Sequence, residues 1–147
     1  MALEPSNILL KEDGSLKIRL CGFSRAKEVN SRIYRTDEPS NGYCTNTPGF
    51  RSPELVSTNV DIRATYAVDI FSLGCILYNI VSKRLLYESE EHLPRTPISA
   101  LVSNNCNDQH VEDLLLKMLA RDPDGRPTIE EVLKDVYFVG RPPSPYE

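Results

Sequence analysis

Residues 47–54 read Thr-Pro-Gly-Phe-Arg-Ser-Pro-Glu, residues 68–75 read Val-Asp-Ile-Phe-Ser-Leu-Gly-Cys, and residues 122–127 read Asp-Pro-Asp-Gly-Arg-Pro. The order and spacing of these three stretches decide the fold. The outer two contain the prolines and glycines that interrupt regular structure. The middle one belongs to an apolar run with residues on all sides of a helical axis, which predicts a central buried helix.

That central helix is predicted to begin near Ala67 and to continue to Val81. A second, amphipathic helix is predicted from Val111 to Leu119, ending before Pro123 because proline disfavours helix in the residue before it. The apolar positions of the central helix at helical spacing are Leu73, Ile76, Leu77, Ile80 and Val81, with Ile70 and Phe71 widening the stripe.

Two further helices are predicted from local signals. Thr128-x-x-Glu131 is the capping-box pattern, which predicts that a third helix begins at Thr128 with Val132 and Leu133 on its buried side. The apolar residues after Pro97 predict one short helix in an otherwise poorly patterned stretch.

The first fifty residues predict a hairpin followed by a long loop. Asn7 to Leu10 and Leu16 to Leu20 flank the turn signal at residues 13–14, which is typical of a β-hairpin. Residues 24–46 are polar and lack periodicity, and loops of this length in small domains are usually functional.

Composition excludes several classes of function. The chain has 147 residues and a net charge of -4, which disfavours nucleic acid and anionic membranes as partners. Its four cysteines have no metal-ligand spacing, so we expect reduced thiols and no zinc. Without a hydrophobic span or leader, the expected compartment is the cytoplasm or the nucleus.

The three opening stretches resemble the C-terminal lobe of the protein kinase family, of the serine/threonine type. The resemblance implies a mainly helical, α+β domain with a small β-hairpin over residues 1–139, lacking the N-terminal lobe, and a disordered proline-rich tail at 140–147. An exposed apolar face is then expected where missing parts of the domain would pack. Residues 66–75 also bear a weak resemblance to endoplasmic-reticulum stress-sensor kinases. The ribonuclease activity of those kinases is not carried over to this chain.

The resemblance also places the family's catalytic positions, and most hold other residues. Kinases carry a loop His-Arg-Asp-Leu-Lys-Pro-x-Asn, in which Asp accepts the substrate proton, Lys contacts the γ-phosphate and Asn binds magnesium. Aligned on this loop, the Asp position holds Ala2, the Lys position holds Glu4, and Asn7 is retained as a residual cofactor and metal ligand. The Asp of the second magnesium motif falls at Leu20. No intact catalytic residue is therefore expected.

Other family positions in this chain are structural or regulatory. Glu54 and Arg126 match a buried ion pair, and Asp69 matches a residue that hydrogen-bonds the catalytic-loop backbone. Thr47 matches the threonine of the substrate loop, here either a relic or a specificity element. Possible phosphorylation sites in the long loop are Tyr34, Thr36 and Thr45.

The sequence therefore favours a pseudokinase-like regulatory or scaffolding module. The first alternative is a truncated part of an active kinase that uses ATP and magnesium, and the second is a non-functional fragment. No cofactor is expected for the chain itself. Its expected partners are proteins, such as a kinase or a missing N-terminal lobe.

Overall fold

The computed structural model describes residues 3–11, 18–23, 49–56, 65–89 and 92–139. The described part is mainly helical with one small sheet, and this confirms the predicted fold class. Its strands are β1 (Ile8–Leu10) and β2 (Ile18–Leu20), and its helices are α1 (Pro53–Val56), α2 (Ala67–Ser82), α3 (Ile98–Asn105), α4 (Gln109–Met118), α5 (Ile129–Leu133) and α6 (Val136–Val139). Three 3₁₀ turns lie at Pro5–Asn7, Leu93–Arg95 and Pro123–Gly125.

The predicted hairpin is present. Strands β1 and β2 pair antiparallel, with Ile8 opposite Leu20 and Leu10 opposite Ile18. Both strands are largely exposed to solvent, and Leu10 and Ile18 are each 66% exposed. This uncovered apolar surface agrees with the expectation of an exposed face.

The central position of α2 is confirmed. It contacts α3, α4 and the turn at 123–125, while α4 also packs against α3 and α6. Phe71 and Leu115 are fully buried where α2 and α4 meet. Burial also raises the pKa of the Cys75 thiol within α2, so this cysteine is held in its neutral form.

Two positions in the predicted apolar faces are corrected by the structure. Ile80 has helical spacing with the buried residues of α2 but is 58% exposed, and Leu133 in α5 is 62% exposed. In both cases the periodicity is helical, but no described element covers that part of the helix surface. The neighbouring Val132 is buried as predicted.

The capping box at the start of α5 is confirmed. The Glu131 backbone N–H donates to Thr128 Oγ1 at 3.3 Å, and the Thr128 N–H donates to Glu131 Oε2 at 2.7 Å. Two backbone donors that the helix leaves without partners are thereby satisfied.

The box predicts a pH dependence of stability. The hydrogen bond from the Thr128 backbone lowers the pKa of the Glu131 carboxyl below its ordinary 4.5. Because the pKa of the Glu131 carboxyl is lower in the folded chain than in the unfolded chain, the capping box contributes its full stabilisation above pH 4.5. This stabilisation is lost as the pH falls through the pKa of Glu131 in the folded chain. Glu131→Gln should therefore make stability fall less steeply with acidification, measured by urea unfolding from about pH 6 to about pH 3. Glu130→Gln, an exposed neighbour in the same turn, is the control, and equal profiles for both variants would contradict the prediction.

No helix in the described ranges is long and apolar enough to cross a membrane.

Candidate functional site

The segment that the family resemblance assigns to the catalytic loop ends in a 3₁₀ turn beside the hairpin. Pro5 begins this turn, and the Asn7 N–H donates to the Glu4 carbonyl at 3.0 Å. The Ser6 hydroxyl donates to Glu4 Oε1 at 2.8 Å, so a local hydrogen bond holds the Glu4 carboxylate, which the resemblance assigns to a lysine position.

The structure brings Asn7 into contact with the turn that follows β2. The Cys21 N–H donates to the Asn7 carbonyl at 2.9 Å, and the Cys21 thiol donates to Asn7 Oδ1 at 3.8 Å. Leu20, which the family resemblance assigns to a magnesium-binding Asp, lies opposite Ile8 in the hairpin and is 42% exposed. The two residues that the resemblance assigns to metal binding, Asn7 and Leu20, are therefore adjacent, and Leu20 carries an alkyl group.

Gly22 allows this close contact. Its φ of 78° is in the left-handed region, and a Cβ built on it would lie 2.6 Å from Asn7 Cγ. Only glycine fits this conformation and this distance without displacing the Asn7 amide.

Gly22→Ala should therefore lower the free energy of unfolding by about 1 to 2 kcal/mol from backbone strain alone, with the clash against Asn7 added. The measurement is urea unfolding of the purified chain. Gly125→Ala is the matched control, because a Cβ there would meet only Ala120 Cβ at an ordinary 3.8 Å. Equal losses in both variants would contradict the role assigned to Gly22.

Glu54 and Arg126, the pair expected from the family resemblance, lie in direct contact. Arg126 Nη1 donates to Glu54 Oε1 at 2.6 Å, and Nη2 donates to Oε2 at 2.7 Å. The Arg126 side chain is fully buried and that of Glu54 is 9% exposed. A bidentate pair of this kind combines charge with fixed geometry.

Arg126 makes more contacts than the resemblance predicted. Its guanidinium also donates to the carbonyls of Ala67, Ala120 and Arg121, and it lies 4.9 Å above the ring centroid of Phe71. One side chain thus joins the start of α1, the start of α2 and the turn after α4. This arrangement is architectural, since it satisfies buried polar groups and offers no open reacting position.

Asp69 lies in the first turn of α2, as predicted. Burial raises the pKa of its carboxyl above the ordinary value. Its predicted hydrogen bond to the catalytic-loop backbone stays a prediction. Ala2, Thr47 and the possible phosphorylation sites Tyr34, Thr36 and Thr45 all lie outside the described residues.

Sequence reasoning missed two residues that fix the segment before α1. The Ser72 hydroxyl donates to the Phe50 carbonyl at 2.8 Å, and the Tyr87 hydroxyl accepts from the Arg51 N–H at 2.7 Å. Ser72 lies in the quoted stretch 68–75 and Tyr87 lies in none, but no sequence pattern indicates that either hydroxyl bonds the backbone before α1.

The fold, the buried Glu54–Arg126 pair and the hairpin beside Asn7 define a kinase C-terminal lobe. A family model described as the protein kinase domain matches residues 2–138. The chain belongs to the protein kinase family.

Curated relatives agree with this membership. The chain is 32% identical over 146 residues to serine/threonine-protein kinase par-4 of Caenorhabditis elegans, which covers 93% of this chain and 22% of that protein. It is 33% identical over 175 residues to mitogen-activated protein kinase 13 of Oryza sativa subsp. indica, a match that covers 94% of this chain and 33% of that protein. It is 27% identical over 151 residues to serine/threonine-protein kinase TOS3 of Saccharomyces cerevisiae, a match that covers 88% of this chain and 27% of that protein.

The chain thus spans between a fifth and a third of the length of these relatives. It is related to serine/threonine kinases over most of its own length. The narrower resemblance to endoplasmic-reticulum stress-sensor kinases is not shown by these relatives and stays a prediction.

Proposed function

We propose that this chain is a pseudokinase-like regulatory or scaffolding module that binds a protein partner and does not transfer phosphate. The observation that carries the proposal is Leu20, which lies opposite Ile8 and next to Cys21, whose N–H donates to the Asn7 carbonyl; the family resemblance assigns Leu20 to the position of a magnesium-binding carboxylate. Magnesium requires oxygen ligands in near-octahedral geometry, which an alkyl side chain cannot supply.

The donors around Asn7 also match magnesium poorly. Asn7 Oδ1 already accepts a hydrogen bond from the Cys21 thiol, and the Asn7 amide fills the space beside Gly22. Because Leu20 supplies no oxygen ligand beside Asn7, we propose that this chain binds neither magnesium nor ATP.

Glu4 supports the same proposal through charge. At about 4 Å and an effective dielectric constant of about 20, two like unit charges repel by about 4 kcal/mol. A carboxylate where the family has lysine replaces attraction for a γ-phosphate with repulsion. The buried Glu54–Arg126 pair supports a scaffolding role, because it is a structural ion pair that does not depend on Glu4 or Leu20.

A second candidate function is that the chain is one part of an active serine/threonine kinase. Two observations favour it: the relatives carry that name, and the chain spans at most a third of their length in the three comparisons above. In that case ATP and magnesium would be the cofactors and an N-terminal lobe the partner. The two candidates differ in whether Glu4 and Leu20 prevent phosphate transfer.

The test uses the endogenous polypeptide that contains this sequence, assayed for transfer of labelled phosphate from magnesium-ATP to a protein substrate. We expect no transfer from the natural sequence and measurable transfer after Ala2→Asp, Glu4→Lys and Leu20→Asp are combined. Robust transfer by the natural sequence would overturn the proposal.

A matched control combines Ala2→Asp and Glu4→Lys with Leu10→Asp, which places the hairpin carboxylate opposite Ile18 instead of at Leu20. This variant should stay inactive. If the endogenous product were found only as a rapidly degraded species, the chain would instead be a non-functional fragment.

A further inference from the structure

Helix α2 ends in a backbone conformation that is unusual for the residue that adopts it. Lys83 has a φ of 59° and a ψ of 25°, which is the left-handed region. Within the described ranges it is the one non-glycine residue with a positive φ. Glycine is the usual residue at this end of a helix, because a Cβ is unfavourable in that conformation. The lysine side chain is therefore present where the backbone alone favours its absence.

Polar contacts hold this turn in place. The Lys83 N–H donates to the Asn79 carbonyl at 2.9 Å, and Asn79 Nδ2 donates to the Arg84 carbonyl at 3.1 Å. The Ser82 hydroxyl accepts from the Arg84 N–H at 3.1 Å and donates to the Tyr78 carbonyl at 2.7 Å. The turn therefore fixes the backbone from which the Lys83 and Arg84 side chains extend.

Exposed apolar side chains flank these two cations in the sequence. Ile80 is 58% exposed and Leu85 is 42% exposed, and Lys83 and Arg84 are also exposed. Ile80 and Lys83 are three residues apart at the end of one helix, a spacing that brings side chains to the same side of a helical turn. We call the four residues Ile80, Lys83, Arg84 and Leu85 the α2-end patch. It combines apolar surface with two positive charges.

A cation at the end of a helix also interacts favourably with the helix macrodipole. That interaction needs only a charge near the last carbonyls, and a residue in a relaxed conformation can supply it. Lys134 does so at the end of α5 with a φ of -93°. The macrodipole therefore does not account for the left-handed conformation of Lys83. An observed backbone outlier of this kind favours a role for the side chain itself.

We propose that the α2-end patch docks an acidic peptide segment of a partner protein, in which an apolar side chain is flanked by carboxylates. Ile80 and Leu85 contact the apolar side chain, and Lys83 and Arg84 pair with the carboxylates. The planar guanidinium of Arg84 suits a bidentate pair with a carboxylate. Because the whole chain has a net charge of -4, attraction of an acidic segment requires a local group of cations such as this one.

This inference rests on the proposed function for its claim that a protein partner binds. It adds the surface on which the partner docks and the chemistry of the docking segment. Its test measures peptide binding and not phosphate transfer, so that the docking proposal and the proposed function can fail separately.

The test follows the amide signals of the full chain by nuclear magnetic resonance during titration with the synthetic peptide Glu-Glu-Leu-Leu-Glu-Glu. The control peptide is Gln-Gln-Leu-Leu-Gln-Gln. We expect the acidic peptide to shift the signals of residues 80–85 and to bind at least about five-fold more tightly than the control. Raising sodium chloride from about 50 mM to about 500 mM should weaken its binding at least about five-fold, because salt screens exposed charges.

Substitutions at Lys83 separate docking from folding. Lys83→Gly removes the cation and relieves the left-handed conformation, so affinity for the acidic peptide should fall at least about five-fold. The midpoint of urea unfolding should stay equal or rise in this variant. Lys83→Arg keeps the charge and should retain the affinity. Lys134→Ala is the matched control, because it removes an exposed cation from another helix end and should change the affinity by less than about two-fold.

Three results would overturn the docking proposal. The first is the absence of shifts in residues 80–85 at peptide concentrations up to about 1 mM. The second is equal binding of the acidic and glutamine peptides. The third is an unchanged affinity in Lys83→Gly, and a lower stability of that variant would then assign Lys83 to the helix end alone.

Discussion

Replacing Arg126 with alanine should lower the free energy of unfolding by about 3 to 5 kcal/mol. The variant leaves the Glu54 carboxylate buried without its cation, and the carbonyls of Ala67, Ala120 and Arg121 lose a donor. Loss of one partner from a buried pair is costly because the remaining charge stays out of water. Urea unfolding followed by circular dichroism measures the change.

Lys117→Ala is the control for this prediction. Lys117 pairs with Asp135 at 3.2 Å, but its side chain is 57% exposed. An exposed pair of this kind contributes at most about 1 kcal/mol. If Arg126→Ala cost no more than Lys117→Ala, the Glu54–Arg126 pair would not have the structural importance assigned to it.

Phe71→Ala should be comparably destabilising, by about 3 to 5 kcal/mol, because it removes a fully buried ring and leaves a cavity. The measurement is again urea unfolding. Ile80→Ala in the same helix is the control and should cost far less, since Ile80 is 58% exposed. Similar losses in both variants would mean that the two faces of α2 are buried alike, contrary to the structure.

The two large effects should not add. The Arg126 guanidinium lies 4.9 Å from the centre of the Phe71 ring, so each substitution alters the surroundings of the other. Residues in contact commonly show interaction energies of about 0.5 to 3 kcal/mol in double-mutant cycles. Additivity within error in the Arg126→Ala, Phe71→Ala double variant would indicate that the ring and the guanidinium do not interact.

The helical and hairpin elements could be predicted because their signals are local. The 3.6-residue period indicated α2 and α4, and the Thr128-x-x-Glu131 spacing predicted a capping box that the structure confirms. The assignment of Glu4 and Leu20 to altered catalytic positions rests on the sequence alone and stays a prediction, because both residues lie in stretches that otherwise resemble the family motifs.

The sequence by itself determined the β-hairpin and helices α2 to α5 through local patterns, whereas the four-residue helices α1 and α6 were not predicted from it. Only the tertiary structure decided which apolar faces are covered: Ile80 and Leu133 have core spacing but remain exposed. It also revealed that Tyr87 bonds the backbone of Arg51, 36 residues away. Periodicity indicates the direction in which a side chain points from its own helix. Burial and long-range hydrogen bonds depend instead on which distant segment of the chain packs against that side chain.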